Sequence, residues 1–222
     1  MILSDKLMPT PFETAARKNN KNLVHDLISG ARPLPIDIRN EASQTGLMIS
    51  CAYNSVETVQ AILVKYQELQ DYTIDGTDTL GWTALHHAAK SGSLKCVKLL
   101  FEHKAEIDAT TDKNETALFL ATKHNHLDIV EFLAEKNCQL QIKALYKKPV
   151  KEEEYFTALE NAVQQNFVEI AKCLLFHLIR RNKLKEEQLN ELLLKAAKKG
   201  HTKIAHELVI NGANVNYHEG SI

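Results

Sequence analysis

The stretch that decides the fold is DTLGWTALHHAAKSGSLKCVKLLFEHKAEIDAT, from Asp78 to Thr110. The next block of the chain repeats it at an offset of 33 residues, so that Thr83 aligns with Thr116 and Leu100 with Leu133. A repeat of this length is the sequence signature of a solenoid. The chain is therefore expected to be built from similar units that stack in order along the sequence.

Each unit is predicted to contain two short helices. Thr83 can cap a first helix, which Gly92 then ends, and a second helix is predicted from about Leu94 to His103 with Val97 and Leu100 on one side. Isolated helices shorter than about 12 residues are marginal in water. The units must therefore gain their stability by packing against their neighbours.

The segment GWTALHHAAKSG, followed by VKLLFEHKAEID, resembles the ankyrin repeat. Two residues depart from the family pattern, which has proline at the position of Ala84 and glycine at that of Lys104. The resemblance implies an all-α fold, a solenoid of stacked helix-turn-helix pairs with hairpin-like loops. It also implies that His86, at the family's histidine position, braces its turn by hydrogen bonding.

The same template covers almost the whole chain, which is predicted to be one domain, 1–222. Six repeats are expected, at about 6–40, 41–77, 78–110, 111–143, 153–186 and 187–219, with an exposed, charged insertion at about 143–156. The second repeat carries extra residues, which should lengthen its second helix or the following loop. Capping boxes are predicted at Thr10 with Glu13 and at Thr157 with Glu160.

Composition excludes several classes of protein. A formal net charge of −1 gives no overall attraction to nucleic acid or anionic membranes. The apolar runs fall far short of the roughly 20 residues needed to cross a bilayer, and no secretory leader is recognisable, so no membrane insertion is expected. Four cysteines without a CxxC pair indicate a reducing compartment, and we expect a cytoplasmic protein.

No pattern in the sequence predicts catalysis. The ten histidines include no i, i+4 pair in a metal-binding motif, and the phosphate-loop, dinucleotide, zinc-peptidase and serine-hydrolase motifs are absent. Cys51, Cys96, Cys138 and Cys173 are expected to pack in or near helices. The chain is therefore predicted not to be an enzyme and to need no cofactor or metal.

The resemblance implies that a partner protein binds to a concave face, which is lined by the ends of the first helices and by the hairpin tips. Carrying these positions over gives a set that is half basic and contains no acid: Arg17, Lys18, Ala52, Tyr53, Lys90, Ser91, Lys123, His124, Gln164, Gln165, Lys198 and Lys199. The tips add Thr79, Leu80, Trp82, Lys113 and Glu115. The basic residues predict a protein partner with an acidic or phosphorylated segment.

Two questions stay open at this point. Trp82, the only tryptophan, could be a binding hot spot or could cover the neighbouring hairpin. The favoured function is a monomeric protein-interaction module or adaptor. The alternatives are a bacterial-type secreted effector that acts on a host protein in the host cytosol, and a binder of nucleic acid or phosphoinositide through the basic residues. Nucleic acid is not favoured because aromatic residues do not alternate with the basic ones.

Overall fold

The computed structural model describes residues 10–31, 33–69, 72–147 and 153–218. Residues 6–9 and 219 of the predicted terminal repeats, and residues 148–152 of the predicted insertion, lie outside these ranges. By its internal contacts the chain divides into two compact units, Met1–Asp112 and Lys113–Ile222.

The described residues of the first unit form three helix pairs. Its helices are α1 Pro11–Arg17, α2 Lys21–Ser29, α3 Gly46–Ala52, α4 Val56–Glu68, α5 Ala84–Ser91 and α6 Leu94–Glu102. The first helices α1, α3 and α5 pack side by side in one layer, and the second helices α2, α4 and α6 form the other layer. Large apolar side chains such as Phe12, Leu47, Ile62 and Leu100 are fully buried between the layers.

The part of the second unit that the structure describes forms three further helix pairs and a β-hairpin. Its helices are α7 Ala117–Lys123, α8 Leu127–Glu135, α9 Ala158–Gln165, α10 Val168–Arg180, α11 Glu186–Lys198 and α12 Thr202–Ile210. Here α7, α9 and α11 form the first-helix layer, while α8, α10 and α12 form the second. Phe119, Leu133 and Leu174 lie in the core between the two layers.

The helix ends follow from local sequence. Thr157 accepts a hydrogen bond from the N–H of Glu160, whose carboxylate accepts one from the N–H of Thr157, so the predicted capping box is present. At Thr10 only half of the box forms. The N–H of Glu13 donates to Thr10, but the Glu13 carboxylate accepts a hydrogen bond from Arg17 instead.

The extra residues predicted for the second repeat lie partly in its second helix. That helix, α4, has 13 residues, whereas α6, the corresponding helix of the next pair, has 9.

His86 braces its turn as the family resemblance implies. Its Nδ1 accepts from the N–H of Thr83 at 3.0 Å, and its Nε2 lies 3.0 Å from the carbonyl of Ala109.

The charged insertion differs from its prediction, because it contains a two-stranded antiparallel sheet. Strand β1 is Ala144–Lys147 and strand β2 is Glu153–Phe156, with Ala144 opposite Phe156 in the register. Ala144 and Phe156 are buried in a cluster with Phe119. The described ends of this segment are thus attached to the core of the second unit rather than fully exposed.

Candidate functional site

The C-terminal ends of α1 and α3 place a cation beside an aromatic ring. Arg17, the last residue of α1, donates from Nε to the hydroxyl of Tyr53 at 3.0 Å, and its guanidinium carbon lies 5.4 Å from the centre of that ring. Its other hydrogen bond joins Nη2 to the Glu13 carboxylate at 2.6 Å. Hydrogen bonds, first with Glu13 and then with Tyr53, raise the pKa of Arg17 further. Lys18, the next residue, is also exposed.

The end of α5 places a second cation over the only tryptophan. The ammonium of Lys90 lies 5.0 Å from the centre of the Trp82 ring, a cation–π distance. The ring of His87 lies 5.2 Å from Trp82. Trp82 is half-buried, whereas Leu80 at the tip of the same loop is 60% exposed. Trp82 thus contacts residues of its own repeat and still presents part of its ring.

A buried carboxylate holds this loop in shape. One oxygen of Asp78 accepts hydrogen bonds from the N–H groups of Leu80 and Trp82 at 2.9 and 3.0 Å, and the other lies 3.0 Å from Nε2 of His87. Burial opposes ionisation of Asp78, but the two N–H donors and His87 outweigh it, so its pKa is lowered. Burial also lowers the pKa of His87, against the attraction of Asp78.

Contacts along the sequence-predicted positions join the ends of α1, α3 and α5 into one surface. Ser91 at the end of α5 donates from Oγ to the carbonyl of Cys51 in α3 at 2.8 Å, while Arg17 and Tyr53 connect α1 to α3. Ala52 and Thr79 are exposed beside them. We call Arg17, Tyr53, Leu80, Trp82 and Lys90 the aromatic-cationic surface.

In the second unit, the basic residue at the end of α7 is neutralised by a neighbour. Lys123 forms an ion pair of 2.8 Å with Glu115, and Glu115 is only 2% exposed. The sequence prediction placed Glu115 at an exposed hairpin tip, and that placement is wrong because the carboxylate turns inward toward Lys123. Lys113 is exposed, as is His124, whose ring lies 6.3 Å from that of His126.

The ends of α9 and α11 carry the remaining predicted residues. Gln164 is half-buried and Gln165 is exposed, as are Lys198 and Lys199. Lys199 donates from Nζ to the carbonyl of Gln164 at 3.3 Å. These lysines add positive charge at a helix C-terminus, where it complements the helix dipole.

The expected basic stripe is therefore less basic than its sequence positions suggested. None of those positions is acidic, but the fold brings Glu13 to Arg17 and Glu115 to Lys123. The Glu13–Arg17 pair could have been recognised from its i, i+4 spacing. The pairing of Lys123 with Glu115, eight residues earlier, has no comparable signal in the sequence.

The described residues contain no group of three or more His, Cys, Asp or Glu side chains that could hold a metal ion. All four cysteines are free, with Cys51, Cys96 and Cys138 buried and Cys173 half-buried. Burial raises the pKa of Cys51 well above the usual value for a thiol. Among the helices that the structure describes, none is long and apolar enough to span a bilayer.

Comparison with known sequences supports the resemblance to ankyrin repeats. A family model described as ankyrin repeats (3 copies) matches residues 12–111 and 63–144. The glycerophosphocholine phosphodiesterase GDE1 of Candida albicans is 31% identical over 142 residues, which are 62% of this chain and 12% of that protein. The B-cell lymphoma 3 protein homolog of Mus musculus is 31% identical over 137 residues, which are 58% of this chain and 28% of that protein. The chain thus spans less than a third of the length of these relatives.

Two solved structures have the same fold. The human ASB11 ankyrin repeat domain superposes with a TM-score of 0.71 at 21% identity, covering 94% of this chain and 86% of that one. An ankyrin repeat domain from Acinetobacter baumannii gives a TM-score of 0.70 at 21% identity, covering 92% and 98%. Both confirm the fold expected from the repeat pattern.

Proposed function

This chain belongs to the ankyrin-repeat family, whose members bind other proteins, and on that premise we propose that it is a non-catalytic adaptor. It holds a segment of a partner protein against the ends of its first helices and its loop tips. The four free cysteines fit a reducing compartment, and we place the protein in the cytosol.

The aromatic-cationic surface is the observation that carries the proposal. Leu80 and Tyr53 are 60% and 45% exposed, and Trp82 and the cations Arg17 and Lys90 lie next to them. Interfaces obtain most of their binding energy from a few Trp, Tyr and Arg residues. Since aromatic rings already hold both cations in place, little side-chain entropy remains to be lost on binding.

The charges define the partner. Lys90 is exposed and lies over the Trp82 ring, whereas Arg17 is paired with Glu13. A partner segment with Asp, Glu or a phosphorylated side chain facing Lys90, and an apolar residue facing Leu80, satisfies both groups. Lys198 and Lys199 in the second unit are candidates for further contacts of the same kind.

The test compares two charge reversals in the same unit. Lys90→Glu removes the cation over Trp82, whereas Lys95→Glu reverses an equally exposed lysine on α6, in the second-helix layer. In an affinity capture from whole lysate, the partner bound by the unmodified chain should be bound about tenfold more weakly by the Lys90 variant. The Lys95 variant should keep it. Equal retention by both variants would contradict the proposed surface.

The same affinity capture distinguishes the adaptor from the two alternative functions. Binding of nucleic acid or phosphoinositide through the basic residues would fall steeply between low and moderate salt and would persist after the protein partners are removed. An effector role would appear as capture from host lysate but not from the lysate of the source cell. No observation in the structure favours either alternative over the adaptor.

A further inference from the structure

A groove on the second-helix layer of the second unit differs in charge from two other grooves of its kind. It runs between α8 and α10, with a volume of about 380 Å³. Its α8 side is formed by Leu127, Glu131 and Glu135, which recur at every fourth residue and therefore lie on one face of that helix. Its α10 side includes Cys173 and Phe176.

The apolar part of this groove is open to solvent. Phe176 is 59% exposed, although it belongs to a helix whose neighbouring residues Leu174 and Leu175 are buried. Ile179, one turn further along α10, is 41% exposed. Phe176 and Ile179 are three residues apart and therefore lie on one face of α10, where they form an exposed apolar patch of the kind that marks interaction sites.

The charges around the groove are not balanced. Glu131 and Glu135 are exposed, and neither carboxylate forms an ion pair or hydrogen bond in the part of the chain that the structure describes. Carboxylates at i and i+4 on a helix repel each other. Glu169 adds a third carboxylate, and the groove's one lysine, Lys172, is shared between Glu169 at 3.6 Å and Glu207 at 3.4 Å.

The two comparable grooves are balanced. The one between α2 and α4 has two lysines and two glutamates, and Lys65 and Glu68 are paired at 2.8 Å. The one between α10 and α12 likewise has Lys172 and Lys203 against Glu169 and Glu207. The excess of negative charge is thus a property of the α8–α10 groove and not of every groove between second helices.

Two half-buried side chains of the groove, Cys173 and His177, are affected by its negative charge. Burial, and then Glu131 and Glu135, raise the pKa of Cys173 to about 11. Burial lowers the pKa of His177, and Arg181 adds to that effect, while the charge of Glu135 opposes it. The cations Arg180 and Arg181 also act on this ring, but neither forms an ion pair with Glu131 or Glu135 in the part of the chain that the structure describes.

We propose that the α8–α10 groove is a second docking surface, which takes a cationic amphipathic helix from a partner protein. Lys or Arg side chains of that helix pair with Glu131 and Glu135, and its apolar face covers Phe176. This partner has the opposite charge to the one proposed for the aromatic-cationic surface. The chain can then connect an acidic segment and a basic one, which is an adaptor's task.

The test uses a defined probe. A fluorescent amphipathic peptide of about 18 Leu and Lys residues is titrated with the whole protein, and a scrambled peptide of the same composition serves as the control. The double variant Glu131→Gln/Glu135→Gln should bind the probe about fivefold more weakly, since two exposed ion pairs are lost. Glu186→Gln/Glu187→Gln removes the same charge from exposed positions on α11 and should leave the affinity unchanged.

A second pair of variants tests the apolar contact. Phe176→Ser should weaken probe binding, whereas Ile210→Ser should not, although Ile210 is 65% exposed on α12. Circular dichroism confirms that each variant is folded. Lys90→Glu should leave probe binding unchanged, so this proposal and the proposed function fail independently.

Three results would overturn the proposal. The first is equal binding of the amphipathic and scrambled peptides, and the second is an equal loss in the two glutamate variants. The third is self-association of the unmodified chain, measured by sedimentation, that disappears in Glu131→Gln/Glu135→Gln. That result would assign the groove to a second copy of this chain.

Discussion

Lys104, two residues after the end of α6, adopts a left-handed backbone conformation with φ of +67°. Its N–H donates to the carbonyl of Phe101, and the next N–H, of Ala105, donates to that of Leu100, which ends the helix. The family pattern has glycine here, because a Cβ is unfavourable at positive φ. Lys104 is exposed, so its side chain provides no packing that would offset this cost.

Replacing Lys104 with glycine should therefore stabilise the chain by about 0.5–1 kcal/mol, measured by urea unfolding. Lys95→Gly is the matched control, since Lys95 is also an exposed lysine but lies inside α6. That change should destabilise the chain by about 1 kcal/mol. If both changes destabilise, the left-handed geometry of Lys104 carries no strain.

The buried pair of Asp78 and His87 predicts how stability responds to acid. Burial lowers the pKa of His87 below its unfolded value of about 6.5, so the unfolded chain takes up a proton before the folded one does. The neutral His87 ring makes its full contribution to the free energy of unfolding at pH values above the unfolded pKa. This contribution is lost as the pH falls toward the lower pKa of the folded state. Asp78, whose pKa is also lowered, adds a further loss in stronger acid.

The measurement is the thermal midpoint between about pH 7.5 and about pH 5.5. It should fall in the unmodified chain and fall less in His87→Gln, because glutamine at position 87 does not titrate. His25→Gln, at an exposed position on α2, should keep the full pH dependence. An unchanged pH dependence in His87→Gln would show that protonation of His87 does not limit stability.

Among the elements, the β1–β2 hairpin is the one that departs most from the repeat template. Its sequence is charged, and the prediction of an exposed insertion followed from that composition. In the structure, however, the first residue of β1 and the last residue of β2 are Ala144 and Phe156, which pack against Phe119 of α7. The apolar ends attach the hairpin to the second unit.

Phe156→Ala should consequently cost about 3 kcal/mol of unfolding free energy, because it leaves a cavity beside Phe119. Phe176→Ala is the control, since that ring is 59% exposed and its removal should change stability by no more than about 0.5 kcal/mol. Guanidinium unfolding measures both variants. Equal costs would mean that the hairpin is not anchored through Phe156.

At the scale of the whole molecule, a formal net charge of −1 conceals local imbalance. Cations gather at the first-helix ends, although Glu13 and Glu115 neutralise two of them. Carboxylates gather between α8 and α10, where two have no described partner. Because screening limits such fields to about 10 Å, each surface can attract a ligand of the opposite charge despite the small net charge. The division into six repeats within one domain stays a prediction.

The sequence by itself determined the family and the fold. Each ankyrin unit is specified by contacts within the repeat and with its neighbour, so Thr83, Gly92 and the apolar positions of α6 are readable without coordinates. It also indicated where the first helices end, and hence which residues could bind a partner. These are local properties, and a 33-residue period repeats them visibly.

Only the tertiary structure decided the state of those residues. The repeat pattern does not predict that Glu115 is buried and paired with Lys123. It also does not predict the contact of Arg17 with Tyr53, 36 residues away. The α8–α10 groove is likewise invisible in the sequence, because it joins Glu131 and Glu135 to Phe176 on a separate helix. Which side chains meet, and which charges stay unpaired, depends on distances between elements that a repeat pattern does not encode.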